Sequence, residues 1–324
     1  MNDHTILYLS RKDVEDTRLS MPEIIRAVEN MFREKGEGRI EMPPKPGIHP
    51  RKDAFIHAMP AYIPRLGAAG IKWVSGYPGN QEKQLPYISG LLILNDPETG
   101  IPVAVMDATW ITAKRTGAAT AVAAKYLART NSSSAGILAC GVQGRSNLEA
   151  LSCLFSLTKV KAFDIVPETA KRFAAEMEPV IEAEIEVVTD PGEAVAGMDI
   201  VVTSGPILKH PEPLIEVGWL SEGAFACPLD FDSYWKSEAL AQADKLATDD
   251  TAQMNYYRKT GYFTHTPQPY ADLGEIVTGK KPGRTHDGER TFCINLGLAA
   301  EDMATAILLY KKAVEKGLGV RLPL

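Results

Sequence analysis

Residues 132–164 read SSSAGILACGVQGRSNLEALSCLFSLTKVKAFD, and this stretch decides the fold. Ala135 to Cys140 is a short apolar run that predicts a strand. Gly141-Val142-Gln143-Gly144 turns the chain, and Asn147 to Leu157 carries leucines at helical spacing. Val160 to Phe163 predicts the next strand, closed by Asp164. Strand, glycine turn, helix and strand together make the layout that binds dinucleotides. The turn glycines let the backbone approach a pyrophosphate, which rests on the helix N-terminus. An acid about 20 residues past the last glycine can accept from the ribose hydroxyls, and Asp164 stands at that distance from Gly144. The match to G-x-G-x-x-G is partial, because Ala139 takes the place of the first glycine. A small-residue turn that merely packs a helix on a strand gives the same letters. Ile165 follows Asp164 with no nearby arginine for a 2′-phosphate, which favours NAD over NADP, while Lys161 argues weakly the other way.

A chain of 324 residues suits two domains better than one and can bury a substantial core. A net charge of −6 argues against a nucleic-acid partner, which needs a basic patch or stripe. No run approaches the roughly 20 apolar residues needed to cross a bilayer, so no membrane partner is expected. The N-terminal MNDHTILYLSRKDVEDTRLS lacks the apolar core of a signal peptide, which predicts a cytoplasmic protein. Cys140, Cys153, Cys227 and Cys293 lie in apolar runs without C-x-x-C or Cys/His spacing. They are expected to be reduced, buried thiols, with no metal site.

Taken in order, Ile6 to Leu9 predicts a strand, and Ser20 caps a helix whose apolar face is Ile24, Ile25, Val28, Met31 and Phe32, ended by Gly36. The proline-rich MPPKPGIHPRK is expected to lack regular structure. Phe55 to Met59, Ala68 to Ser75, Tyr87 to Leu94 and Pro102 to Met106 predict strands with antiparallel connections. Thr109 to Arg129 is an alanine-rich helix that leads out of this first part. After the dinucleotide unit come a helix at Thr169 to Met177, a strand at Glu184 to Val188 and a short helix at Pro191 to Ala196. Strands at Asp199 to Ser204, Ala224 to Pro228, Ala243 to Asp249 and Phe292 to Ile294 complete an alternating, parallel-sheet pattern. The helix Leu298 to Glu315 is expected to return to the first part.

Several residues could carry chemistry, and each has a plainer reading. Lys72 sits mid-strand in GIKWV, where a solvent-facing lysine is the ordinary case; alternation leaves its burial open. Arg115 lies early in the alanine-rich helix, where an ion pair would explain it, and Lys45 in PPKPG reads as a solvated loop charge. Together they could clamp a carboxylate, for which a bidentate arginine is best suited. Asp230 and Asp232 follow the strand AFACP, at the carboxyl end where parallel sheets bind ligands; capping a helix from Tyr234 is the alternative. His57 reads first as a satisfied core histidine, and Tyr256, Tyr257, Tyr262 and Phe263 as an aromatic loop, a core or subunit contact rather than a substrate lid.

The segments IKWVSGYPGN, LILNDPETGIPVAVMDATWITAKRTGAAT, AKYLAR, CGVQGRSNLEAL, DLGEIVTGKKPGR and LGLAAEDMATA resemble one family, that of ornithine cyclodeaminase, mu-crystallin and archaeal-type alanine dehydrogenase. The resemblance runs from about residue 55 to the C-terminus. It implies an α/β protein in which a Rossmann NAD-binding domain, residues 118–297, is inserted into a substrate-binding and dimerisation domain formed by residues 1–117 and 298–324. It also implies a homodimer. Carried over by position, Lys72 and Arg115 match substrate-carboxylate cations, Thr116 a phosphate contact, and Gly141, Val142 and Gln143 the pyrophosphate turn. Asp164 matches the ribose acceptor, and Asp232 matches the catalytic acid, with Gly223 and Lys236 at the expected spacing. Lys236 and Asn295 fall on the cofactor side, and Leu296 beside the substrate. Lys72 could also move protons.

Departures narrow the reading. Lys45 replaces an arginine of the cyclodeaminases, keeping the charge but losing the fork. His57 replaces a glutamate of the ornithine pocket and Tyr87 a threonine, which puts an ornithine side chain in doubt. Asp232 is the acid that mu-crystallin-like ketimine reductases lack. The resemblance therefore implies an NAD-dependent oxidoreductase acting on the C–N bond of a small α-amino or imino acid. The alternatives are an ornithine cyclodeaminase, with NAD as a catalytic cofactor, and a nucleotide-dependent binding protein of crystallin type.

Overall fold

The computed structural model describes residues 4–324; the first three residues of the stretch read for a leader lie outside the described residues. The elements follow one another as β1 Thr5–Leu9, α1 Arg11–Asp16, α2 Met21–Gly36, β2 Gly47–Ile48, β3 Phe55–Ile63, β4 Ala68–Gly76, β5 Ile88–Asn95, β6 Pro102–Asp107 and α3 Thr109–Leu127. Then come β7 Ser134–Leu138, α4 Val142–Ser152, β8 Lys159–Phe163, α5 Pro167–Ile181, β9 Glu184–Val187, β10 Ile200–Thr203, β11 Phe225–Pro228, α6 Ser237–Leu240 and β12 Lys245–Thr248. The chain closes with α7 Thr251–Lys259, β13 Ala271–Asp272, α8 Leu273–Val277, β14 Thr291–Ile294, α9 Ala299–Lys316 and β15 Val320–Pro323. It divides into two compact units, one of residues up to Arg115 with Leu298–Leu324, the other Thr116–Gly297.

The first unit holds a seven-stranded sheet in the order β15-β1-β6-β5-β4-β3-β2. Only β1 and β6 pair in parallel; the other pairings are antiparallel. Met59, Lys72 and Leu92 lie abreast on β3, β4 and β5, so their side chains share one face. That face is covered by α9, which packs on β3, β4 and α2. Ser20 and Glu23 form a capping box at the start of α2, and its stripe of Ile24, Ile25, Val28, Met31 and Phe32 is buried. On the opposite face of the sheet Trp73, Leu91 and Tyr8 stay 49%, 47% and 40% exposed.

The second unit is a parallel eight-stranded sheet in the order β13-β12-β14-β11-β10-β7-β8-β9. This is a Rossmann-type arrangement: the chain runs outward from β7 through β8 to β9, then returns to start again at β10. The order reverses between β7 and β10, and the crevice beyond their carboxyl ends is where such sheets take ligands. Every residue of β10, β11 and β14 is buried, as expected of central parallel strands.

Local departures from expectation have simple causes. The helix expected from Asn147 begins at Val142, with Gly141 as its N-cap, so the glycine turn is already its first turn. It stops at Ser152, and Phe155 and Leu157 fold back into the core as loop. Pro191 to Ala196 forms successive turns rather than a helix, cut short by Gly197 at φ 73. The proline-rich segment contributes the two-residue β2, where Gly47 pairs with His57. The unforeseen α1 is fixed by a Ser10–Asp13 capping box. Cys153 is exposed, unlike the other three thiols, because α4 ends just before it. Tyr256 and Tyr257 belong to α7 rather than to a loop. Among the described residues no helix is long and apolar enough to cross a membrane, and no group of His, Cys, Asp or Glu is placed to hold a metal ion.

Candidate functional site

In the first unit, Lys72 is turned from the open face of the sheet and is 1% exposed. Its Nζ lies 2.9 Å from Asp302 Oδ1 and 3.2 Å from Thr112 Oγ1. Arg115, in the second turn of α3, donates from Nε to Asp302 Oδ1 at 2.9 Å and from Nη1 to Glu301 Oε2 at 2.8 Å. Both acids sit in the first turn of α9, where the helix N-terminus favours negative charge. Lys45, 9% exposed, adds a third cation whose charge is felt at Lys72 and His57.

Burial pushes the Lys72 amine down to about 7, Asp302 opposes this, and Arg115 and Lys45 reinforce it. For Arg115 burial also acts against the charge, but Asp302 and Glu301 outweigh it and its pKa is raised. Burial raises the pKa of Glu301, and its Oε1 has no hydrogen-bond partner. His57, stacked on Phe55 with ring centroids 4.3 Å apart, is held down to about 3 by burial and then by Lys45, His49 and Lys72; it is neutral at physiological pH. Lys45, Lys72 and Arg115 thus bring three buried cations into one part of the unit. Cations gathered in a dry setting suit a carboxylate.

In the second unit, the turn between β7 and α4 passes through Ala139 at φ 71, the left-handed conformation that glycine adopts freely. A Cβ at Gly144 would lie 2.7 Å from the Ala139 carbonyl oxygen, whereas one at Gly141 would meet nothing within 4 Å. The backbone at Gly141 is therefore open to a bound group. Val142 is 64% exposed beside it, and the buried Gln143 Oε1 has no partner. Arg145, which sequence reading passed over, donates to the carbonyls of Cys140 and Gly141 from beneath the turn.

Asp164 closes β8 and accepts from the Cys140 N–H at 2.8 Å and the Val166 N–H at 2.9 Å. It lines a cavity of ≈ 440 Å³ with Ile165, Pro167, Lys171 and Val188. Lys171 is paired with Glu168 at 2.7 Å, and Lys161 stands 3.8 Å from Glu186. At the end of β14 the buried Asn295 has an unpartnered Nδ2. The N–H groups of Leu296 and Gly297 both donate to Asp249 Oδ2 at 2.7 Å. Thr116 is buried in α3. Lys236 caps α6 and reaches Glu216 at 2.5 Å. The open Gly141, the acid closing β8 and the unpartnered Gln143 and Asn295 atoms fit an adenine dinucleotide.

Asp230 and Asp232 flank Phe231, which takes φ 62, and they engage different partners. Asp230 is fully buried, accepts from Thr203 Oγ1 at 3.0 Å and the Gly205 N–H at 3.2 Å, and is pushed up to about 7 by burial. Asp232 accepts from Thr266 Oγ1 at 2.8 Å and faces a cavity of ≈ 420 Å³ with Lys209, His210, Trp235 and His265. Neither acid caps a helix, since α6 begins only at Ser237. Sequence reading missed Glu301, Asp302 and Thr266. The acid pair stood in LGLAAEDMATA, where acids opening a helix read as solvated.

The chain resembles known proteins over its whole length. It is 37% identical over 324 residues to an alanine dehydrogenase of Archaeoglobus fulgidus, with 98% of each chain covered. Among solved structures, the Δ1-pyrroline-2-carboxylate reductase of Thermococcus litoralis in complex with NADH and L-proline has a TM-score of 0.89 at 37% identity, covering 98% of this chain and 100% of that one. An archaeal alanine dehydrogenase dimer with bound NAD also has a TM-score of 0.89, at 36% identity, covering 99% of this chain and 100% of that one. The profile of the ornithine cyclodeaminase/mu-crystallin family matches residues 5–317. The chain belongs to the ornithine cyclodeaminase/mu-crystallin family.

Proposed function

We propose that the protein is an NAD-dependent oxidoreductase acting on the C–N bond of a small α-amino or imino acid. The observation that carries this reading is the buried cluster of cations formed by Lys45, Lys72 and Arg115, in a chain whose second unit has a Rossmann-type parallel sheet. In the direction of amine oxidation, the amino acid, NAD⁺ and water yield the keto acid, ammonium, NADH and a proton. When bound, NAD supplies the redox chemistry by taking up a hydride from the α-carbon or returning one.

The chain's own residues bind and move protons. Arg115 and Lys72 hold the substrate carboxylate with Lys45 behind them, Glu301 and Asp302 keep the two cations in place, and Leu296 borders the substrate. Asp232 takes a proton from the amine or from attacking water and returns it in reverse, help typically worth about 10²–10⁴-fold. Gly141, Val142 and Gln143 receive the pyrophosphate, Thr116 a phosphate oxygen, Asp164 the ribose, and Asn295 the nicotinamide end. Lys236, on the cofactor side, is paired with Glu216.

A cyclodeaminase would have to hold a second ammonium on the substrate. The neutral His57 beside Lys45 and Lys72 disfavours that. The exposed apolar face of Trp73, Leu91 and Tyr8 supports a homodimer, and four free thiols suit a reducing, cytoplasmic setting. A screen of L-α-amino acids that follows NADH absorbance and ammonia separately tests the assignment. Equal yields of both, or NADH alone from a cyclic imino acid such as L-proline, support it. Ammonia without net NADH means a cyclodeaminase, and neither product with NADH still bound means a binding protein.

A further inference from the structure

Asp232 is held by a part of the chain that the proposed chemistry does not use. Its Oδ2 accepts from Thr266 Oγ1 at 2.8 Å, and Thr266 is 4% exposed. Thr266 belongs to the strap of residues 261–267 that follows α7. Arg258 of α7 clamps this strap at two points, donating from Nη1 to the Phe263 carbonyl at 3.2 Å and from Nη2 to the Pro267 carbonyl at 2.7 Å. The rings of Phe263, Tyr257 and Tyr262 pack on Phe231 at centroid distances of 4.8, 4.9 and 5.5 Å.

Phe231 and Phe263 both occupy left-handed backbone, at φ 62 and φ 53, and both are buried. A bulky residue there is strained and persists only where its surroundings impose it. Two such residues in ring contact, one adjoining Asp232 and one three positions before Thr266, show that the turn and the strap are shaped together.

We infer that Thr266 is a positioning residue for Asp232: the strap delivers one hydroxyl to one carboxylate oxygen and leaves the other oxygen to the reacting nitrogen or water. This rests on the reading of Asp232 as the acid–base group. Other charges also bear on Asp232. Asp230 repels it, Arg258 attracts it, and Lys209, His210 and His265 line the same cavity. None of these is altered by changing Thr266, so the hydroxyl's effect can be isolated.

The test compares the full-length wild type with Thr266→Val, Thr266→Ser and Asp232→Asn in NAD-linked oxidation of L-alanine and L-proline across pH, with NADH binding followed by fluorescence. In Thr266→Val, kcat should fall about tenfold or more while KM and NADH affinity stay within about twofold. Thr266→Ser restores the hydroxyl and should restore kcat. If Thr266→Val does not fold, Thr266→Ala takes its place. An unchanged kcat in Thr266→Val, with Asp232→Asn inactive, overturns the inference alone, as does a Ser variant no better than Val. Full activity in Asp232→Asn, or a wild type that oxidises neither compound, overturns the functional reading and the inference with it.

Discussion

Lys72 and Asp302 form a fully buried ion pair, with Nζ 2.8 Å from Oδ2 and the side chains 1% and 0% exposed. Arg115 shares the same carboxylate, so one acid holds two cations in register. Removing one partner of a buried pair leaves an uncompensated charge and costs about 3–5 kcal/mol. Asp302→Ala should therefore lower the unfolding free energy by about that amount in urea titrations and raise KM for substrate. Arg115→Ala should cost kcat/KM a similar amount, about 2–5 kcal/mol, with NADH affinity nearly unchanged. Near-normal turnover in Arg115→Ala would reduce it to a structural ion-pair residue.

Lys72 also sets a pH dependence. Its amine titrates near 7 in the folded protein, against 10.5 for the unperturbed group. The folded state therefore binds fewer protons than the unfolded state between these values, and this group's contribution makes stability rise with pH across that window. The slope is at most about 1.4 kcal/mol per pH unit. Lys72→Met should abolish this component of the stability–pH curve. In the wild type, KM should increase as pH climbs through 7, because the carboxylate loses a cation; a flat KM from pH 6 to 9 contradicts the assignment.

The glycine turn allows a paired backbone test. Gly144→Ala would place a Cβ 2.7 Å from the Ala139 carbonyl, a backbone atom that cannot yield cheaply. Overpacking of this kind costs about 1–3 kcal/mol, and NADH affinity should fall with it. Ala139→Gly relieves a left-handed alanine and, after the added chain entropy, should be neutral to stabilising by under about 1 kcal/mol. Calorimetric Tm values and NADH titrations of both variants check these signs.

Asp164 should select NAD over NADP. Its two oxygens are oriented by the Cys140 and Val166 N–H groups, and the nearby Lys171 is occupied by Glu168. A carboxylate accepts from ribose hydroxyls but repels a 2′-phosphate, so the two dissociation constants should differ by tenfold or more, about 1.4 kcal/mol. Comparable constants by calorimetry would remove Asp164 from that role.

The stretch Ser132–Asp164 was legible because a short apolar run, a glycine turn and a helical run succeed one another within a single unit. Lys72 was legible only in part. Strand alternation says which residues share a face but not what covers it, and its cover arrives 230 residues later as Asp302. Glu301 and Asp302 look like ordinary first-turn acids until α9 is placed on the sheet. The six-residue α1 is too short for periodicity to reveal, although Ser10 and Asp13 carry its cap. Asp230 and Asp232 take different partners, Thr203 and Thr266, from segments 27 and 34 residues away, which no local pattern of residue types encodes.

The central claim is that Asp232 moves the proton while Asp230 holds the strand end. The most direct measurement is kcat of Asp232→Asn and Asp230→Asn side by side, with NADH binding recorded for each. Asp232→Asn keeps the shape and removes the base, so turnover should fall by about two to four orders of magnitude with NADH still bound. Asp230→Asn retains an oxygen for Thr203 and should keep most of its activity. Full activity in Asp232→Asn together with a dead Asp230→Asn would contradict the account.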